Sequence, residues 1–272
     1  MAITTEDGVV AGLKPPVRFQ KASFTGEAAG YFHDLGVVAG QPGTRILGAP
    51  GMAGATVAFG ALGGDLNWSN PASGNAYLAK LSVSVGANLV GFLLWDLLWY
   101  QSGIAETTTT AQTVNSVAWP ARDRNGSTNG DGIEVWMHCT TVTGNAGAIA
   151  NTSYSYTNQA GTAGRSANLV SSWPITGVAG TVVPFGLQGS DVGVRSVQSV
   201  TLGTSYVSGQ VELFAVRPVA FVPFVGATSG MLLDWAQLGF PQLYNDSSLY
   251  MALLLSGTAA GITAGDLAYS HG

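Results

Sequence analysis

Charge is scarce in this sequence. Only 10 of its 272 residues are Lys or Arg and 15 are Asp or Glu, 9% together, against about 25% in an average soluble domain. Lysine appears only at Lys14, Lys21 and Lys80, and the arginines are strewn from Arg18 to Arg217. A groove that tracks phosphates needs clustered cations, so nucleic acid is not expected as a ligand. A single cysteine, Cys139, excludes an intrachain disulfide and a thiolate metal cluster. Long apolar runs are also missing. The most apolar stretch, residues 89–100, contains Asp96 and falls far short of the ~20 residues of a membrane helix. The first residues are acidic and lack an apolar core, so no secretion signal is expected there. An outer-membrane barrel would repeat strands of about ten residues throughout, and residues 1–75 show no such repeat.

In place of charge there are small residues, 38 of them glycine, within a chain that is 46% hydrophobic. A lone domain normally keeps its surface wet with Lys, Arg, Asp and Glu. One that lacks them is expected to be covered by copies of itself or by other proteins, since interface cores are depleted in charge. Residues 1–75 are punctuated by Gly and Pro, as at Pro15-Pro16, Gln41-Pro42-Gly43, Ala49-Pro50-Gly51 and Asn70-Pro71. The segment also carries Phe19, Phe24, Tyr31, Phe32, Phe59 and Trp68, too many aromatics for a solvated tail. It reads as an extended arm that becomes ordered against a neighbour.

Residues 76–272 read as strands. Leu81, Val83 and Val85 alternate with serines, and Ile133, Val135, Met137 and Cys139 alternate with Glu134, Trp136 and His138. The first set should face a core and the second should face away from it. Residues 89–100 suit a strand buried on both faces. Further strands are expected at 152–156, 166–170, 207–216 (ended by Arg217-Pro218), 221–224, 249–255 and 267–269, with a brief helix at 229–238. Gly-rich turns separate them, and no long amphipathic helix appears. The expected fold is all-β, a β-sandwich or jelly-roll-like domain with an extended Gly/Pro-rich N-terminal arm.

Catalytic and metal-binding signals are weak, and no catalytic, cofactor or metal residue is assigned. His138 and Cys139 are adjacent on a strand and so point to opposite faces. His33-Asp34 has no nucleophile elbow beside it, and His271 stands alone. The run from Asp123 to Gly132 spaces oxygen ligands as a calcium loop does, but it lacks the closing glutamate. It serves equally as a loop tip, because Asn-Gly and Asp-Gly supply positive φ. Gly161 to Arg165 is a hairpin turn rather than a phosphate cradle. The seven tryptophans are read as core or subunit-contact residues, with Trp136 the best placed to be exposed.

Three stretches carry a resemblance. They are Leu93-Leu94-Trp95-Asp96-Leu97-Leu98-Trp99 with Ser102-Gly103-Ile104 and the threonines at 107–110; Tyr154-Ser155-Tyr156-Thr157-Asn158 with Gly161 and Gly164-Arg165; and the segment 265–272. Across residues 77–272 the chain resembles virion structural proteins of tailed bacteriophages. The resemblance implies a non-enzymatic, repeated building block of the head, with no catalytic residues to carry over. The expectation is a capsid decoration (cement) or minor capsid protein, located in the virion after assembly in the host cytoplasm. Its partners would be copies of itself, the major capsid protein or other virion proteins, with no cofactor and no membrane. The alternative is a carbohydrate-binding or tail-associated receptor-binding module, for which Trp119, Arg122, Asp123 and Trp136 would have to be exposed. A glycan-cleaving enzyme would need paired carboxylates, and none stands out.

Overall fold

Strand follows strand along this chain in a computed structural model that describes residues 3–22, 26, 29–87, 89–224, 229–258 and 261–272. Among these residues lie helix α1 (Glu6–Gly12) and strands β1 (Val17–Lys21), β2 (Phe32–Asp34), β3 (Gly40–Gln41), β4 (Ala55–Thr56), β5 (Ala76–Val85) and β6 (Leu89–Gln101). Then come β7 (Gln112–Thr113), β8 (Glu134–Gly144), β9 (Ser153–Asn158), β10 (Arg165–Leu169), β11 (Thr181–Gly186), β12 (Val194–Thr201) and β13 (Ser208–Pro223). The chain ends with β14 (Ser229–Asp234), helix α2 (Trp235–Leu238), β15 (Gln242–Leu243), β16 (Leu249–Leu255) and β17 (Thr263–His271). The fold is all-β, as expected.

The strands form two sheets. The smaller runs β14-β5-β17-β1-β3, with β15 also on β5. In the larger sheet, β2 pairs with both β16 and β11, so β2-β16-β6-β13-β8-β11 closes into a ring of six antiparallel strands. Beyond β11 the sheet continues through β10, β9, β12 and β7. The result is a small barrel flanked by two sheet wings, and three cores follow from it. One lies between the small sheet and the outside of the barrel, with Leu81, Val83, Phe92, Leu94, Met251 and Leu253. A second lies under β9–β12, with Met137, Cys139, Tyr154, Trp173 and Leu213. The third fills the barrel, with Trp95, Trp136, Phe214, Val216 and Tyr250.

This arrangement explains why β6 is apolar on both faces: one face is inside the barrel and the other is under a wing. Leu93, Trp95 and Leu97 point inward. The pairing with β13 then shifts register, Ala215 opposing Trp99 and Val216 opposing Leu97. The extra residue, Leu98, lets Leu98 and Trp99 both face the second core while Tyr100 turns back into the barrel, as a β-bulge does.

Three local expectations are corrected. Arg217-Pro218 does not end a strand, because β13 runs through it to Pro223. Its β8 partner stops at Val216–Glu134, and a second register shift follows Pro218, so the missing N–H sits where no ladder on that side needs it. Residues 229–238 are not one helix. Ser229–Asp234 pairs with β5, and only Trp235–Leu238 coils, as one turn closed by an Asp234/Gln237 capping box. Finally, the face carrying Trp136 and His138 points away from the second core, as the alternation requires, but into the barrel rather than toward solvent.

The described residues among the first 75 are woven into these cores. β1 lies between β17 and β3, and β2 closes the barrel. Phe19, Leu35, Val38, Leu66 and Trp68 are buried in the chain's own first core. Phe24 lies outside the described residues. The accessible surface of 10616 Å² matches the ~11,000 Å² that scaling gives a free-standing chain of this mass. An arm held out toward a neighbour would raise that figure.

Candidate functional site

Barrel closure places ionisable side chains where sequence periodicity alone puts none. Asp34 enters from β2, His138 from β8 and Glu212 from β13, and Arg45 reaches in from the loop after β3. Arg45 donates from Nε to Asp34 Oδ2 at 2.9 Å and from Nη2 to Glu212 Oε1 at 2.9 Å. His138 lies between the same carboxylates, Nε2 at 3.4 Å from Asp34 and Nδ1 at 3.1 Å from Glu212. All four side chains have zero exposure. The Arg45 guanidinium also sits over the Phe214 ring, 4.5 Å from its centroid. Burial alone would raise the carboxyl groups. The Arg45 charge and the His138 hydrogen bond overcome it and hold Asp34 and Glu212 below the usual carboxylate range. The quartet is sealed, and apart from Glu212 Oε2, which is buried without a hydrogen bond, its carboxylates face Arg45 and His138. It can brace the barrel, but it presents no face to a substrate.

His33 and Asp34 therefore form no acid–base pair. They are neighbours on β2 and project to opposite sides, and burial holds His33 down to about 3, hence neutral. Cys139 is buried, with Sγ 3.2 Å from the carbonyls of Thr141 and Gly177, and burial pushes its thiol up to about 12. His271 Nε2 lies 3.0 Å from Ser69 O.

The residues that glycan recognition would have needed exposed are all buried: Trp119, Arg122, Asp123 and Trp136 show 3%, 4%, 1% and 2% exposure. Arg122 is a knot. Its Nη2 donates to Val57 O at 2.7 Å and Leu97 O at 2.8 Å, Nη1 donates to Asp246 O, and Nε lies 3.2 Å from Asp96. Asp96 also accepts from Ser247 Oγ at 2.7 Å and Ser248 N at 2.9 Å. Asp123 organises the loop that follows it. Its carboxylate accepts from the backbone N–H groups of Asn125, Ser127, Gly130 and Asp131 and from Ser127 Oγ, at 2.7–3.1 Å. Backbone donors thus occupy the oxygens that a calcium ion would claim. Among the described residues no group of three or more His, Cys, Asp or Glu is placed to hold a metal.

That ordered loop forms one wall of a cleft of mixed polar and apolar lining, about 320 Å³ in volume. Glu134, at the start of β8, and Arg217, on β13, line it together with Arg124, Gln242 and Tyr244. Arg124 rests on Gly132, whose φ is +69°; a Cβ there would lie 2.8 Å from Arg124 Nε. Glycine is favoured at that position by its positive φ. Sequence reading missed this cleft because its parts come from four separated segments. The Gly-rich loop was the one local signal.

No protein-family model matches the sequence, and no curated protein does. Among solved structures the chain is similar to the VP2 subviral particle of infectious bursal disease virus, at 8% identity over 99% of this chain and 83% of that one, with a TM-score of 0.20. It is also similar to the Gt strain of that virus, at 9% identity, the same coverage and a TM-score of 0.18. T=1 particles derived from the virus match at 8% identity, over 96% of this chain and 78% of that one, with a TM-score of 0.19. These neighbours are viral capsid proteins. At such scores no residue of theirs is mapped onto this chain.

Proposed function

We propose that the chain is a non-enzymatic structural protein of a virion, a decoration (cement) or minor capsid protein of a tailed bacteriophage that self-associates and stabilises the head. The observation that carries the reading is where the few charges lie. Among the described residues nine charged side chains, including Lys21, Asp34, Arg45, Asp96 and Glu212, are buried. Only fifteen others reach the surface, while large hydrophobics such as Val10, Ile46, Val170, Val207 and Ile262 are more than half exposed. Such a surface suits a protein whose outside is covered by neighbours in a lattice. The sealed ionic quartet and the buried thiol offer no nucleophile or acid–base pair to a substrate, in keeping with a structural role.

Light scattering of the purified chain, with co-sedimentation on phage heads stripped of accessory proteins, tests the proposal. A mass above 27.8 kDa or saturable binding to the heads is expected. A monomer at every concentration that ignores the heads would end it.

A further inference from the structure

The cleft beside the Asp123 loop brings together side chains that the fold engages only in part. The Arg124 guanidinium makes no hydrogen bond or ion pair among the described residues, and it passes over Gly132 on the cleft wall. Arg217 is 7% exposed, and its guanidinium stacks 4.9 Å from the Tyr244 ring centroid. Its Nε and Nη2 are sealed without a hydrogen bond, and Nη2 stands 3.7 Å from Asp96. That leaves Nη1 in reach of the cleft. Glu134 gives Oε2 to the Trp136 indole N–H at 2.8 Å, leaving Oε1 without a protein donor. Tyr244 is anchored through its hydroxyl, which donates to Arg124 O at 3.0 Å, and Gln242 through its amide, which donates to Asn75 Oδ1 at 3.1 Å. Tyr244 and Gln242 are therefore held in place before a ligand arrives, and Arg124 is left to close on it.

Arg217 shares its charge with Asp96 behind it, so the uncompensated cation of the cleft is Arg124, and its guanidinium with Arg217 Nη1 beside the single lining carboxylate favours an anionic ligand. A bare anion meets Glu134 and is repelled by it, so the ligand must also bring a hydroxyl donor for Oε1. The apolar flank of Pro218 asks for a ring face. A volume of about 320 Å³ lies at the small end of ligand pockets, about 300–1,000 Å³. We propose that this cleft binds an acidic monosaccharide unit, its carboxylate held by Arg124 and Arg217 and a neighbouring ring hydroxyl donating to Glu134.

The test is calorimetric titration of the full chain with glucuronate, glucose and acetate in parallel, together with a uronate-containing oligosaccharide. Glucuronate should bind, while glucose, lacking the anion, and acetate, lacking the hydroxyls, should bind at least about tenfold more weakly, the loss of one charge-assisted contact. Arg124 is exposed, so Arg124→Gln should fold as the parent does and lose about tenfold in affinity. Glu134→Gln should weaken glucuronate and relieve the rejection of acetate. Tighter binding of the oligosaccharide than of the monomer would make a polymer the source of the unit; equal binding would make it the free sugar acid. Failure of glucuronate and the oligosaccharide alike to bind, glucose binding as well as glucuronate, or unchanged affinity in Arg124→Gln with an unchanged melting temperature would each overturn the proposal.

Discussion

Replacing Arg45 with methionine keeps most of the side chain's length and removes its charge from the sealed barrel. Two carboxylates, Asp34 and Glu212, each lose a 2.9 Å partner, and His138 alone is left between them. Removing one member of a buried ion pair typically costs about 3–5 kcal/mol, because the partner's charge is stranded. For a chain of this length each kcal/mol is worth roughly 2–4 °C, so the melting temperature should fall by about 6–20 °C. Differential scanning calorimetry at neutral pH measures it. Added salt should not restore the loss, since screening acts on exposed charges. Arg45→Lys keeps the charge without the fork that spans both carboxylates and should fall in between. Adding Asp34→Asn and Glu212→Gln to Arg45→Met should recover most of the loss, because no stranded charge would remain. A melting temperature within about 2 °C of the parent for Arg45→Met, less than one kcal/mol, would mean that Arg45 is not in the barrel. The docking of the N-terminal segment would fall with it.

Stability should also decline in acid. Asp34 and Glu212 are held below their unfolded values, so their contribution is complete above the unfolded range of about 4 and is lost as pH falls below it toward the folded values. Melting temperatures between pH 6 and 2.5 will show whether the fall begins near pH 4, and Arg45→Met should flatten it. Cys139, with its thiol pushed up to about 12 and no exposed surface, should resist a thiol reagent in the native state and react only on unfolding. Rapid native labelling would contradict the burial of β8's outer face. Deleting residues 1–60 removes β1, β2 and Arg45 and should abolish the cooperative melting transition. A truncated chain that still melts sharply would restore the picture of a detachable arm.

Alternation made the strands legible, and it worked best where one face is purely apolar. At β5 the serines between Leu81, Val83 and Val85 marked both the strand and its inner face. At β8 the same rule gave the right two faces, but Trp136 and His138, beside Glu134, looked solvent-facing because polar character on one face is the usual sign of water. Nothing local distinguishes water from a barrel interior that supplies its own counter-charges. Closure itself left no trace in the sequence, because β2 is only three residues long and its partners lie near residues 181 and 253. Arg45 sits in a Gly/Pro-rich stretch and looked like any loop arginine, since its meaning comes from Glu212, 167 positions away. The cleft was hidden for the same reason, with Arg124 and Glu134 close in sequence but Arg217 and Tyr244 far off.

The order of strands in the small sheet bears on how the protein can be made. β17 lies between β5 and β1, contacting one across residues 263–271 and the other across residues 263–267. On a ribosome, β1 and β5 emerge long before β17, the strand that joins them, so the sheet has a gap until residue 271 has cleared the exit tunnel. The barrel likewise stays open until β16 arrives to hold β2. During that interval the nascent chain exposes the unpaired edges of β5 and β6, whose side chains are among the most apolar it has. Completion of the sheet is thereby deferred until β17 has emerged, and the waiting strands are the surfaces on which neighbouring unfinished chains, or a holding chaperone, would compete.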